Sequence, residues 1–253
     1  MSYERLAYVY DTLMANVPYE KWLHFFKEEK QRHQVHGNRV LDLACGTGEM
    51  SVQLAKEGLT VTGVDLSSDM LMVAQEKAEQ AKVTINLFQQ DMSALEGLDT
   101  FDVITVFCDS LNYLQTPEDT KNTFSHAHRH LDENGLFLFD VHSTYQMDYR
   151  YVNETFTLNE EKIAYIWDSF VGEHEYSVEH ELSFFVLEEE SGLYERFEEL
   201  HKQRTYSIND YTLWLDEAGF TVLSVTADFT NQPPTETSER IFFTCKKKSE
   251  SAR

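Results

Sequence analysis

The residues of this chain best placed to do chemistry are two glycines and the acids around them. Gly46 and Gly48 lie in the stretch VLDLACGTGE at 40–49, between an apolar run and a helical pattern at Met50, Val52, Leu54 and Ala55. Strand, glycine turn and helix bring a ligand against bare backbone. Glycine has no Cβ, and the first turn of a helix leaves N–H groups unpaired. Asp65 ends the next apolar run, LTVTGVD at 59–65, and stands 19 residues after Gly46. That is close to the spacing at which an acid at the end of a second strand meets ribose hydroxyls. The third glycine of the dinucleotide fingerprint is missing, because Ser51 stands in its place. Taken alone, the two glycines also fit an ordinary strand-to-helix turn.

Such residues need a parallel sheet to bring them together. Runs at 83–90, 101–107, 136–139 and 220–226 predict further strands, and 240–245 a last one. Ser67 or Ser68 is placed to cap a helix through about Lys82. Thr116 and Pro117 start another, which runs to about Leu131 and stops at Asn134 and Gly135. A helix over 209–219 is expected to turn Leu213, Trp214 and Ala218 inward. Residues 3–36 read as helical with an interruption near Pro18, first at Tyr3, Leu6, Ala7, Tyr10 and Leu13, then at Trp22, Leu23, Phe25 and Phe26. His126, His128 and His130 alternate and cannot share a helix face, so no metal site is predicted.

Asp42 to Gly48, then Val64 to Ser67, then Gln90, Asp91 and Met92 together resemble the class I S-adenosylmethionine (SAM)-dependent methyltransferases. The resemblance covers about residues 35–142 well and the C-terminal end loosely. It is nearest to bacterial small-molecule enzymes with a β insertion, similar to the glycine N-methyltransferase type. It implies an α/β fold: a Rossmann-like sheet of seven strands, the last antiparallel, with helices on both faces. It also implies roles. Gly46 and Gly48 admit the amino-acid part of SAM, with Ala44 beside them. Asp42 holds its ammonium, helped by the Cys108 carbonyl. Asp65, next to Leu66, accepts from both ribose hydroxyls. Asp91 accepts from the adenine amino group, and the Met92 backbone N–H meets a ring nitrogen. In this family the N-terminal segment often closes over the cofactor, which would turn Tyr8, Tyr10 and Tyr19 toward the site.

From about 143 to 206 the period becomes two. Tyr176, Val178, His180, Leu182, Phe184 and Val186 form one face, and Ser177, Glu179, Glu181 and Ser183 the other. This is a half-buried antiparallel strand. Strands at 156–158, 163–170 and 193–206 are expected beside it. The segment holds 15 acids and 5 bases, so much of one face is charged. The expected organisation is a core of 1–142 and 207–253, with 1–36 a helical cap and 143–206 an insertion after strand five that covers the substrate side. Tyr113 and His142 are candidate catalytic residues. Asn112, His201 and Arg204 are candidate substrate contacts, because all five follow strand ends or lie where the insertion returns to the sheet. His142 and Arg204 also fit structural roles, a hydrogen-bonded histidine and a salt bridge to insertion glutamates.

Composition excludes some function classes. The formal charge is −23, from 21 basic and 44 acidic residues among 253. Phosphate binding depends on Lys and Arg, so neither a nucleic acid nor an anionic membrane is an expected partner. The expected partner is a small-molecule methyl acceptor; the sequence does not set the oligomeric state, and a homodimer stays open. Three widely spaced cysteines, no apolar leader and no run long enough to span a bilayer predict a reduced, cytoplasmic setting. The readings that compete with methyl transfer are a NAD-dependent oxidoreductase and a non-catalytic or SAM-modifying SAM-binding protein.

Overall fold

The apolar runs at 40–43, 103–106 and 136–141 are buried on both faces, which is what a strand inside a parallel sheet requires, while those at 85–89 and 220–227 are partly exposed. The structure, a computed structural model, describes residues 17–188 and 191–248. Its main sheet has seven strands in the order β10-β11-β5-β4-β1-β2-β3. These are β1 (Arg39–Leu43), β2 (Thr60–Asp65), β3 (Ile85–Gln89), β4 (Phe101–Val106), β5 (Leu131–His142), β10 (Phe220–Ala227) and β11 (Arg240–Lys247). Strands β1 to β5 run parallel, and β11 lies antiparallel between β5 and β10. Chain order reverses between β1 and β4, whose carboxyl ends therefore open a crevice.

The helices are α1 (Tyr19–Arg32), α2 (Glu49–Lys56), α3 (Ser68–Ala81), α4 (Pro117–His130) and α5 (Ile208–Glu217). Three have the caps their sequences offer. Ser67 Oγ accepts from Met70 N at 3.3 Å, Thr116 Oγ1 from Asp119 N at 3.1 Å, and Ser207 forms a capping box with Asp210. The α5 face differs from expectation: Leu213 is exposed, and Tyr211, Trp214 and Leu215 are buried. Tyr211 and Leu215 are four residues apart and meet the sheet together, while Leu213 falls between them. Helix α1 packs Trp22, Phe25 and Phe26 on the sheet, with Phe25 4.8 Å from Phe242. Of the N-terminal expectations, those on Tyr8 and Tyr10 lie outside the described residues.

Between β5 and α5 the chain builds a second, antiparallel sheet in the order β6-β7-β8-β9: β6 (Thr155–Asn159), β7 (Ile163–Val171), β8 (Ser177–Glu188) and β9 (Leu193–Arg204). A single π-helical turn, Gln146–Tyr151, leads into it. Val178, His180 and Phe184 are buried on one face of β8, as period two requires.

Candidate active site

One cavity of about 380 Å³ runs from the glycine turn to the second sheet. At one end stand Asp42, Ala44, Cys45, Gly46 and Thr47; at the other stand Tyr165, Trp167, His180, Phe184 and His201. Tyr113, Cys108, Asp109, His142, Tyr151 and Arg240 lie between them. The rim of the parallel sheet and the inner face of the antiparallel sheet therefore share one space.

The glycine end is built on β1 and β2. Gly46 sits at φ +54°, and a Cβ added there would meet nothing within 4 Å. Asp65 braces the turn, since its Oδ2 accepts from Gly46 N at 2.8 Å and its Oδ1 from Ser67 N at 2.9 Å. Beneath the turn, the Asp42 carboxylate accepts from Ser51 Oγ at 2.6 Å and from Thr105 Oγ1 at 3.0 Å. Burial pushes its pKa up to about 6, against the pull of those two hydroxyls. Burial also raises Asp65. Asp65 ends β2 and Leu66 follows it, and Asp91 and Met92 follow β3 on the same rim, beyond the cavity lining. Leu66 is exposed, Met92 packs on the core, and Asp91 Oδ1 accepts from Ser93 N and Oγ, both at 2.8 Å.

The middle of the cavity is an ionic cluster. Cys108 and Asp109 both hold positive φ, at 58° and 52°, with no glycine to make that easy. The Asp140 carboxylate holds this turn by accepting from Cys108 N at 2.9 Å and Asp109 N at 3.1 Å. Trp22 Nε1 donates to it at 2.8 Å, and Arg240 pairs with it. Arg240 also pairs with Asp109 at 2.8 Å, and His142 Nε2 lies 3.3 Å from the other Asp109 oxygen. Burial alone would raise Asp109, but His142 and Arg240 hold it well below the usual carboxylate range. Tyr151 Oη is 3.3 Å from His142 Nε2, and burial pushes its pKa up to about 12. Burial raises the Cys108 thiol, so it is protonated at neutral pH. At the far end Tyr113 Oη lies 3.2 Å from His201 Nδ1.

Three predicted residues do other work. Gly48 caps α2 at φ +75°, and a Cβ there would come within 2.8 Å of Ala74 Cβ, so its bareness serves helix packing. Asn112 is fully buried, donating to Arg204 O at 2.8 Å and accepting from His142 N at 2.9 Å, so it is a clamp and does not line the cavity. Arg204 points away from the cavity: it donates to Gln115 O at 2.9 Å and stacks over Tyr206 at 4.8 Å. Among the described residues no insertion glutamate forms the expected salt bridge with Arg204 either. Period two carries the reason, because Arg204 has opposite parity to His201 on β9.

Asp109, Gln203, Arg240, Tyr151, Tyr165 and Trp167 line the cavity without having been singled out. For Gln203 the signal was available, since it shares the His201 face. Trp167 and Tyr165 alternate on β7 in the same way. Nothing local marks Arg240, which reaches the site from the last strand.

Comparison with known proteins decides the family. A family model for a methyltransferase domain matches residues 40–135. The "Putative methyltransferase" of Geobacillus sp. (strain WCH70) is 54% identical over 98% of this chain and 100% of its own length. The chain belongs to the class I SAM-dependent methyltransferases. Among solved methyltransferases, a SAM-dependent one from Clostridium acetobutylicum ATCC 824 is 32% identical with TM-score 0.88, covering 98% of this chain and 100% of its own. SAM-bound CalS10, an amino pentose methyltransferase from Micromonospora echinaspora, has TM-score 0.66 and 17% identity over 86% of this chain and 87% of its own, a likeness of fold. The cofactor of this methyltransferase is therefore SAM. The open space at Gly46 and the acid beneath the turn are compatible with its amino-acid part.

Proposed function

We propose that this methyltransferase acts on a small-molecule acceptor held between the sheet rim and the inner face of β7–β9. The observation that carries this reading is the single cavity with the glycine turn at one end and Tyr165, Trp167, His180, Phe184 and His201 at the other. SAM supplies a methyl group on a positive sulfonium; the chain has to bind, align and exclude water. On this reading Asp42, Ala44, Gly46 and the Cys108 carbonyl hold the amino-acid part. Asp65 and Leu66 face the ribose, and Asp91 and the Met92 N–H face the adenine. The insertion over 143–206 acts as the acceptor lid, since its apolar face closes the far end of the cavity.

Two pairs on the lining can receive a proton from an acceptor that arrives protonated. One is Tyr113 with His201, whose pKa burial lowers, so the imidazole is neutral at pH 7. The other is His142 with Asp109. Turnover of amines, carboxylates, phenols and quinol-like compounds, followed by S-adenosylhomocysteine (SAH) release, tests the reading. An acceptor that turns over in the parent and loses turnover in Tyr113→Phe or His142→Ala, with SAH affinity kept, supports it. Tight SAM binding with no turnover of any small acceptor overturns it.

A further inference from the structure

The strained turn after β4 is where several segments act on the cofactor end at once. Cys108 and Asp109 are half-buried, line the cavity and both hold positive φ. Two successive non-glycine residues keep that conformation only where the surroundings over-determine it. Here the turn is held by one carboxylate, that of Asp140, which is fully buried on β5. Its Oδ1 accepts from Cys108 N at 2.9 Å and from Trp22 Nε1 at 2.8 Å. Its Oδ2 accepts from Asp109 N at 3.1 Å and pairs with Arg240. An ionised carboxylate only accepts, so donors from the turn, from α1 and from β11 share it without conflict.

One of these bonds sets a direction. The peptide between Cys108 and Asp109 is trans, so the Cys108 C=O points opposite the Asp109 N–H. Holding that N–H on Asp140 therefore turns the Cys108 carbonyl away from Asp140. In the proposed cofactor arrangement this carbonyl holds the amino-acid part of SAM. The Asp109 side chain leaves the same turn toward Arg240 and His142. A second bond ties the turn to α1. Trp22 is buried; its ring meets Phe229 edge-on at 4.5 Å, and the Arg240 guanidinium lies over it at 5.0 Å. Val17, and Tyr19 at the start of α1, line the cavity. The helix thus forms part of the cavity wall and reaches Asp140 through the Trp22 N–H.

We propose that Asp140 is a positioning residue for the cofactor, and that Trp22 couples its hold on the Cys108–Asp109 peptide to the docking of α1. Neither Asp140 nor Trp22 lines the cavity. Asp140 fixes the peptide plane that aims the Cys108 carbonyl, and Trp22 fixes Asp140. Such coupling is reciprocal, so bound cofactor also tightens α1 on the sheet. The inference rests on the methyl-transfer reading, in which the Cys108 carbonyl meets SAM.

The test uses the full chain, with SAH binding measured by calorimetry and N–H exchange by NMR. Trp22→Phe keeps a ring against Phe229 and removes the N–H. It should weaken SAH about fivefold or more. Asp140→Asn puts a donor where one carboxylate oxygen accepts, and should weaken SAH about tenfold or more. Both act through one chain of bonds, so the double variant should lose less than the product of the two. In each single variant the Asp109 amide should exchange faster. In the parent, SAH should slow exchange of the Trp22 indole N–H. A merely structural role lowers the melting temperature and leaves SAH affinity and these exchange rates where they were. If Asp140→Asn does not fold, Trp22→Phe decides alone. Unchanged SAH affinity in Trp22→Phe, multiplicative losses in the double variant, or weaker binding with Asp109 exchange at the parental rate overturns the proposal. No SAH binding by the parent would remove the methyl-transfer reading as well, whereas parental SAH affinity in the variants removes the positioning role alone.

Discussion

Asp42 shows what a buried acid costs a methyltransferase before its ligand arrives. Its unfolded carboxyl titrates near 3.8, and burial keeps the proton on until about pH 6. Between those values the native state binds the extra proton. The contribution of this group to stability is therefore full below about pH 4 and is lost as pH rises through 6. The displacement corresponds to about 3 kcal/mol. In ligand-free protein, Asp42→Asn should gain stability relative to the parent between pH 4 and pH 7 by up to that amount. Thermal unfolding curves that stay parallel across this range would contradict it. SAM affinity should move the other way, falling in Asp42→Asn at pH 7, because a bound ammonium favours the ionised form. Asp65 is tested by calorimetry. Asp65→Ala should weaken SAM and SAH by roughly 1.5–3 kcal/mol, at least about tenfold. Unchanged affinity in a folded variant would remove Asp65 from the site.

Elements meet at Asn112 and at Gly48. Asn112 ties the end of β5 to the end of β9, and Thr205 Oγ1 donates to His142 O at 2.6 Å on the other side. Asn112→Ala leaves a buried N–H and a buried carbonyl without partners. A loss of about 2–4 kcal/mol is expected in chemical denaturation, with SAH affinity within about threefold of the parent. A loss below about 1 kcal/mol would show that the clamp is dispensable. At Gly48, alanine would add a strained positive φ and a contact with Ala74. Gly48→Ala should therefore destabilise the packing of α2 on α3 by about 1–3 kcal/mol. Arg204→Ala belongs to the same scale. Its guanidinium faces Tyr206 and Gln115 O, so it should lower stability and leave acceptor KM and SAM affinity near parental values. A raised KM alone would place Arg204 in the acceptor site after all.

At the scale of the whole molecule, charge sets which partners are tolerated. A formal charge of −23 repels polyanions at long range, and several basic side chains, Lys27, Arg39 and Lys121 among them, are paired with acids. No saturable binding to tRNA or duplex DNA is expected at physiological salt in a filter or mobility assay. Specific, salt-sensitive tRNA binding by the protein alone would contradict this. Among the described residues no helix is long and apolar enough to cross a membrane. The two sheets are joined covalently at His142 and at Arg204, both at the rim where the cavity opens, so a rearrangement of the second sheet acts directly on its far wall.

Much of this was legible in residues 40–92. The glycine turn, the acids after it and the alternation in β8 are local patterns, and local patterns follow from backbone sterics and from the periods of helix and strand. They carried the sheet, the insertion and the family. The centre of the site was not legible. Asp109, Asp140 and Arg240 are 31 and 100 residues apart in turn, and their meeting depends on β11 inserting between β5 and β10. No local pattern encodes that pairing. Sequence determined where each strand ends and which side chains share a face of it, because turn signals and period are local. Only the tertiary structure decided which side chains share it, because ion pairing and desolvation act between segments that meet only after the chain has folded.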